Sequence, residues 1–386
     1  MPERIFLDYN STTPLDPIAL EAMLPYMSTQ YGNPHSSEHS FGWEAEKAIN
    51  ESRTFIAGLL NSLEDELIFT SGATESNNAA ILGVAFKALE KSKKKTIIVS
   101  EIEHKCVIGA ARFTEKFGFK VLKAPVGKDG VVDMGKLSSM IDPNTLLVSV
   151  MATNNEIGTN QPIAEIGKIC KRNDAVFHVD AAQGLYSGVD VAEADIDLLS
   201  VSAHKIYGPK GVGVLFISQN LQLKPDPIIH GGGQQNGFRS GTIPTPLIVG
   251  FGAAAKIFSE QRDSEKARLQ ELRDYLITLL QSQIPSIRVN GSLKNRHPGN
   301  INILFPGIEA KQLILKLQPS MAVSTGSACT SGIPEPSHVL RAIGLSTKDA
   351  ESSLRICVGR QTTKEQVDIF AQTLISVVKE LGNNSI

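Results

Sequence analysis

The chain has 386 residues, 41% of them hydrophobic and 20% charged, with 38 Lys plus Arg against 40 Asp plus Glu and a formal net charge of -2. That length fits two domains or one large one, and the apolar content suffices for a sizeable core, which excludes a chain organised by disorder. The near balance of charge excludes a bulk attraction to nucleic acid or to an anionic membrane.

The opening residues Met1-Pro2-Glu3-Arg4-Ile5-Phe6-Leu7-Asp8 mix acidic and apolar residues without a long apolar stretch, so no signal peptide is expected. No apolar run approaches the roughly 20 residues that a membrane-spanning helix needs. The four cysteines, Cys106, Cys170, Cys329 and Cys357, are scattered and form no C-x-x-C pair. Neither a metal site nor a disulfide framework is therefore expected, and a cytoplasmic enzyme is the default.

In chain order, Glu66-Leu67-Ile68-Phe69-Thr70 predicts a strand leading into Ser71-Gly72-Ala73-Thr74 and then an alanine-rich helix over about 75–91. Short β-branched runs at 96–100, 145–151, 175–180, 198–202 and 212–217 predict further strands, with helical patterns at 104–117 and 163–172 between them. Near-continuous apolar strands separated by helices imply an α/β fold, a mainly parallel sheet covered on both faces. After about residue 252 the texture changes. A long helix over 253–283 precedes short strands at 287–290, 300–305 and 354–358 and a closing helix from 363 to about 381, which predicts a smaller α+β domain.

Several segments carry chemistry. Val201-Ser202-Ala203-His204-Lys205-Ile206-Tyr207-Gly208-Pro209 places Lys205 just beyond a buried strand. A desolvated lysine there is a candidate for covalent union with an aldehyde, because desolvation frees the amine; taken alone it reads more readily as a solvated turn lysine, and the segment upstream reverses that. Twenty-five residues upstream, a strand ends on Asp180 in Phe177-His178-Val179-Asp180-Ala181-Ala182-Gln183. The carboxyl ends of parallel strands face the crevice where such sheets bind ligands. Pyridoxal phosphate asks for a Lys at its aldehyde, an Asp at its pyridinium nitrogen and a cup for its phosphate. The cup has a candidate in Ser71-Gly72-Ala73-Thr74-Glu75-Ser76, which opens a helix after a strand. Ser202 and His204 could complete it. The spacing of a P-loop is absent.

His104 follows another strand and could stack on a cofactor ring or merely cap a helix. Asn154-Asn155 offers an amide to a ring hydroxyl. Arg355, within the apolar run Leu354-Arg355-Ile356, suits a bidentate carboxylate clamp or an ordinary salt bridge. Ser324-Thr325-Gly326-Ser327-Ala328-Cys329-Thr330-Ser331-Gly332 puts a thiol in a loop too small and polar to bury it, as a nucleophile that must carry cargo requires. The other three cysteines lie in helix-like or strand-like runs and read as packing residues.

Together these segments closely resemble the cysteine desulfurases of the NifS/IscS type, pyridoxal-phosphate enzymes of fold type I related to class-V aminotransferases. The resemblance runs nearly end to end, from Leu7-Asp8-Tyr9-Asn10-Ser11-Thr12-Thr13-Pro14 and Tyr31-Gly32-Asn33-Pro34-His35-Ser36 to Val358-Gly359-Arg360. The cysteine loop, about 324–334, with Glu335-Pro336-Ser337-His338, is similar to that of the family's group I. The resemblance implies a seven-stranded type of sheet in a large domain over 16–257, and a small domain made of 1–15 with 258–386.

By position, it also implies that Lys205 joins the cofactor aldehyde and later shuttles the Cα proton, while Asp180 pairs with the pyridinium nitrogen. Gln183 and Asn155 would meet the ring oxygen, and His104 would stack on the ring and assist proton transfer. Ala73, Thr74, Ser202 and His204 would hold the phosphate, joined by Thr242 from the neighbouring subunit of a homodimer. Arg355 would clamp the carboxylate of L-cysteine, with Asn33 nearby, and Cys329 would take the sulfur as a persulfide.

Two departures from the family pattern stand out. Gln235 lies where relatives commonly have Glu, and the chain stops at Asn384-Ser385-Ile386, without the longer tail of the iron–sulfur housekeeping members. The sulfur acceptor is thus open among iron–sulfur assembly, a nitrogenase pathway, tRNA thiolation and DNA phosphorothioation, with no direct nucleic-acid or membrane contact expected. The rivals are a selenocysteine lyase or class-V aminotransferase on the same scaffold, and a sulfur-transfer scaffold without catalysis. An aminotransferase has no need of Cys329, and a non-catalytic scaffold has no need of Lys205, Asp180 and Arg355 together.

Overall fold

The structure is a computed structural model and describes residues 4–326 and 336–383; Cys329 and residues 327–335 lie outside the described residues. Strands are numbered in chain order: β1 Ile5–Phe6, β2 Leu67–Thr70, β3 Thr96–Ser100, β4 Lys120–Ala124, β5 Thr145–Ser149, β6 Val176–Asp180, β7 Leu198–Ser202, β8 Gly213–Ile217, β9 Arg288–Val289, β10 Asn300–Leu304, β11 Met321–Ala322 and β12 Ser353–Cys357.

Seven of these form the main sheet in the order β2-β8-β7-β6-β5-β3-β4. Strand β8 alone runs against its neighbours; the pairs β7–β6, β6–β5, β5–β3 and β3–β4 are parallel. Every residue of β3, β5, β6 and β7 is buried, as expected when both faces of a sheet are covered. Alternation assigns the faces. Phe177, Val179, Leu199 and Val201 join one apolar cluster, whereas Val176, Leu198, Ile97 and Val99 join another beneath the Ala73–Lys91 and Lys105–Thr114 helices.

Strand β4 is absent from the sequence-based expectation. Its sequence, Lys-Val-Leu-Lys-Ala, is half-exposed at the sheet edge, where lysines keep another strand from adding on and also hide the apolar periodicity. The long helix begins at Thr245 rather than near 253 and runs to Gln283, 39 residues. Pro244 and Pro246 mask its start, although proline is compatible with a first turn. It lies close against the Ser40–Leu60 helix, because a Cβ on Gly252 would sit 2.5 Å from the Ser52 Cβ.

Beyond it, β10 pairs antiparallel with β12 and β9. The N-terminal strand β1 pairs in parallel with β11, so the first residues pack with the late part of the chain. No helix among the described residues is long and apolar enough to cross a membrane.

Candidate active site

The parallel strands present their carboxyl ends to one edge of the sheet, and the segments that follow them meet there. Asp180 is the last residue of β6 and 4% exposed. Its Oδ1 accepts the Ala182 N–H at 2.9 Å, and its Oδ2 accepts Asn77 Nδ2 at 2.8 Å. Asn77 is buried in the first turns of the Ala73–Lys91 helix.

Lys205 closes the short turn Ala203–Lys205 after β7. Its Nζ donates to the carbonyl oxygens of Asn10 (2.6 Å) and Ser11 (2.7 Å). Gln183, three residues past Asp180, donates Nε2 to the same Asn10 carbonyl at 2.7 Å. The N-terminal segment therefore receives both the lysine and the amide. The side chain of Asn10 accepts from Asn300 at 3.2 Å, while its buried Nδ2 has no partner among the described residues.

The Ser71–Thr74 turn faces the end of β7. Gly72 takes φ 140°, a conformation that side-chain-bearing residues rarely adopt, and Ala73 and Thr74 open the helix. A Cβ on Gly72 would lie 3.5 Å from Ser202 Oγ, and one on Gly213 only 2.7 Å from the Gly72 Cα. The helix N-terminus and the Ser202 hydroxyl are thus brought together, as a phosphate cup requires. His204 Nδ1 is 3.0 Å from Thr12 Oγ1. Burial, with the positive charges of Lys205 and Lys210, pushes its pKa down to about 4, so its ring is neutral at pH 7.

His104 caps the Lys105–Thr114 helix through Nδ1, which receives the Cys106 N–H at 3.3 Å. The capping geometry anticipated as one of two readings is therefore present. Burial lowers its pKa; Lys205 and His338 act in the same sense, against Asp180 and Glu156. Immediately before it, Glu103 is fully buried, with Oε1 2.6 Å from the Met151 N–H. Burial, reinforced by Asp180, lifts its pKa well above the usual carboxylate range.

Arg355 lies in β12, 4% exposed. Its Nη2 donates to Asp8 Oδ1 at 2.7 Å and its Nη1 to the Asn155 carbonyl at 3.0 Å. The salt bridge anticipated as one of its two readings is thus in place. Asn155 meets Arg355 through its backbone. Asn33 and Thr242 are exposed; the Asn33 amide oxygen accepts the His35 N–H at 3.0 Å. Near Thr242, Arg239 pairs with Glu75 at 2.9 Å. Burial alone would raise the Glu75 carboxyl, but hydrogen bonds from Arg239 and Ser71 outweigh it and hold the pKa below the usual value.

Sequence reasoning missed Asn77, Asn10, Asp8, Glu103 and Cys106 as parts of this edge. Asn77 had one signal, its place a turn after Ala73 on the same helix face. Cys106 packs against an apolar cluster, as expected. It is half-buried and hydrogen-bonded within the site, unlike the buried Cys170 and Cys357. A cavity of about 760 Å³ lies at the opposite edge of the sheet, lined by Leu146, Val176, Asp197 and Phe216 among others. It is remote from the strand ends that carry these groups.

A sheet of this order, with an Asp and a Lys at adjacent strand ends, defines a class. Residues 5–370 match the aminotransferase class-V family model, and the chain belongs to that family. Among its relatives, cysteine desulfurase IscS of Rickettsia typhi is 48% identical over 378 residues, spanning 98% of this chain and 92% of that protein. A solved NifS-like protein superposes with a TM-score of 0.90 at 34% identity, covering 97% of this chain and 99% of that one. The solved structure of SspA in complex with cysteine gives a TM-score of 0.81 at 38% identity, over 93% and 100% of the two chains.

Proposed function

We propose that this protein is a pyridoxal-phosphate-dependent cysteine desulfurase. It takes sulfur from L-cysteine, releases L-alanine, and holds the sulfur as a persulfide on Cys329 until an acceptor collects it. The observation that carries this reading is that the charges of Asp180 and Lys205 both act on the His104 ring, in a chain 48% identical to a cysteine desulfurase over nearly its whole length.

The residues at this edge suit the cofactor. Asp180 offers a carboxylate held in place by Asn77 and Ala182, matched to a pyridinium nitrogen. Lys205 would take the aldehyde, and the Gly72–Thr74 turn with Ser202 and the neutral His204 the phosphate. Gln183 and Asn155 serve the ring oxygen. When bound, pyridoxal phosphate supplies an electron sink for bonds breaking at the substrate Cα and Cβ.

The chain's own groups do the rest. Arg355 orients the substrate carboxylate, with Asn33 nearby, Lys205 removes the Cα proton and returns one, and His104 assists proton transfer. The Cys329 thiolate forms a bond to the substrate sulfur as the Cβ–S bond breaks, and the carbon left behind takes up a proton to give alanine. The solved relative SspA is in complex with cysteine, which supports L-cysteine as substrate here. The working unit in this reading is a cytoplasmic homodimer, with Thr242 completing the partner's phosphate cup and the small domain of 1–15 with 258–386 carrying the cysteine loop. The acceptor is a sulfur-receiving protein of iron–sulfur assembly, tRNA thiolation or DNA phosphorothioation.

The test is release of alanine and sulfide from L-cysteine in the presence of a reductant, for wild type beside Cys329→Ala. Alanine from the wild type alone supports both the reaction and its nucleophile. Alanine from neither, with pyridoxal phosphate bound, overturns the proposal.

A further inference from the structure

Two donors meet at one nitrogen of the His104 ring. The Cys106 backbone N–H is 3.3 Å from Nδ1, and the Cys106 sulfur is 2.9 Å from the same atom. A backbone N–H can only donate, so a proton on Nδ1 would oppose it. Nδ1 is the acceptor, and the neutral ring carries its proton on Nε2.

The far side of the sulfur repeats the logic. Asn77 Nδ2 donates to Cys106 Sγ at 3.2 Å, and the Thr74 side chain also bonds the thiol. The S–H proton is directed away from Asn77, and His104 Nδ1, already an acceptor for the Cys106 N–H and 2.9 Å from the sulfur, receives it. The same amide nitrogen carries a second hydrogen, which goes to Asp180 Oδ2 at 2.8 Å. A continuous line of donors and acceptors runs Asp180, Asn77, Cys106, His104. The amide orientation is fixed, because exchanging its oxygen and nitrogen would set an oxygen against a carboxylate. Its Oδ1 is buried and has no partner among the described residues, so no competing bond holds the amide from that side.

We propose that Asn77 and Cys106 are positioning residues which hold His104 in the Nε2–H tautomer and tie its ring to the Asp180 carboxylate. The proposal rests on the reading of Asp180 and His104 as cofactor residues, but its geometry stands without the reaction. Its consequence is that His104 exchanges protons at Nε2 alone. Asp180, Lys205, Glu156 and His338 all act on the same ring. Their charges move its proton affinity, whereas the Cys106 donors select the nitrogen.

The test is nitrogen-15 NMR of the full chain labelled at histidine, with the His104 signals assigned by their loss in His104→Gln. In the wild type and in Cys106→Ser, which keeps a donor, Nδ1 is expected in the pyridine-type range and Nε2 in the pyrrole-type range. In Cys106→Ala and Asn77→Ala the backbone N–H still favours Nδ1 as acceptor, so the two signals should draw only partly together as the loss of the thiol and amide bonds lets the other tautomer gain population. The same variants should lose about tenfold in kcat with KM for cysteine unchanged, a fraction of the roughly 100- to 10,000-fold that a positioned acid–base group contributes. A wild-type signal placing the proton on Nδ1 overturns the proposal. Signals and kcat in Cys106→Ala identical to wild type overturn it as well. Should Cys106→Ala not fold, the wild type and Cys106→Ser still decide the tautomer, and that readout is independent of whether the protein releases alanine.

Discussion

The guanidinium of Arg355 donates to the carboxylate of Asp8 across 2.7 Å, between residues 347 positions apart in the chain. With the Arg355 to Asn155 bond at 3.0 Å, two of the three guanidinium nitrogens are engaged, and the buried Nε has no partner among the described residues. The pair joins β12 to the segment that follows β1, where Asp8 also bridges Cys357. An arginine fixed in this way has one charge oriented by protein and capacity left for a further carboxylate.

Arg355→Lys should therefore raise the KM for L-cysteine by roughly 10- to 100-fold, the equivalent of about 1.5–3 kcal/mol for a hydrogen bond to a charged group. A lysine cannot reproduce the planar fork. Steady-state alanine release against cysteine concentration measures it. An unchanged KM would assign Arg355 to the Asp8 pair alone.

Asp180→Asn keeps the shape of the side chain and an acceptor for Ala182, and Asn77 has a buried unpartnered oxygen with which to meet the new amide. The fold should survive. Alanine release should fall by at least about 100-fold, because a neutral amide does not stabilise a protonated ring nitrogen. Turnover near the wild-type rate would remove Asp180 from its assigned role.

Asp197 precedes β7, and its Oδ2 accepts the Phe177 N–H at 2.8 Å. Burial lifts its pKa to about 6, from 3.8 in the unfolded chain. Between these two values the native state keeps a proton that the unfolded chain has lost. The contribution of this group is thus fully present below the lower value and declines as pH rises through about 6. Asp197→Asn should be free of that decline. Its stability relative to wild type, from denaturant unfolding at several pH values, should improve between pH 4 and 6 by about 1–3 kcal/mol and then level off. A difference that does not vary with pH would count against the burial argument.

Gln235 explains one departure from the family pattern. Its Oε1 accepts the Phe69 N–H at 2.7 Å and its Nε2 donates to the Phe69 carbonyl at 2.9 Å, so one side chain covers both polar groups of a residue in edge strand β2. A carboxylate can accept but not donate. Gln235→Glu should cost about 1 kcal/mol of stability, the net worth of one hydrogen bond, read as a lower denaturation midpoint with little change in activity at low denaturant. Equal midpoints would show that the second bond contributes nothing.

Much of the architecture was legible in the chain. Strands β3, β5, β6 and β7 are apolar runs broken by helices, and their burial on both faces is what makes such runs readable. Strand β4 escaped because its lysines face water, and the early start of the long helix escaped behind Pro244 and Pro246. Cys106 does pack against the apolar cluster beneath the Ala73–Lys91 and Lys105–Thr114 helices; what escaped is its bonding to His104 and Asn77, because a cysteine in a helical pattern shows nothing of its polar partners.

What the sequence determined by itself was local: an Asp at one strand end, a Lys after the next, a glycine turn opening a helix, and a lone cysteine among small polar residues. Each is set by a few consecutive side chains and their periodicity. The tertiary structure decided which distant groups serve them. The Asn10 carbonyl receives Lys205 across 195 residues, Asn77 reaches Asp180 across 103, and Asp8 meets Arg355 across 347. Those partnerships arise from the way sheet, long helix and N-terminal segment pack together, and that packing is a property of the buried core as a whole.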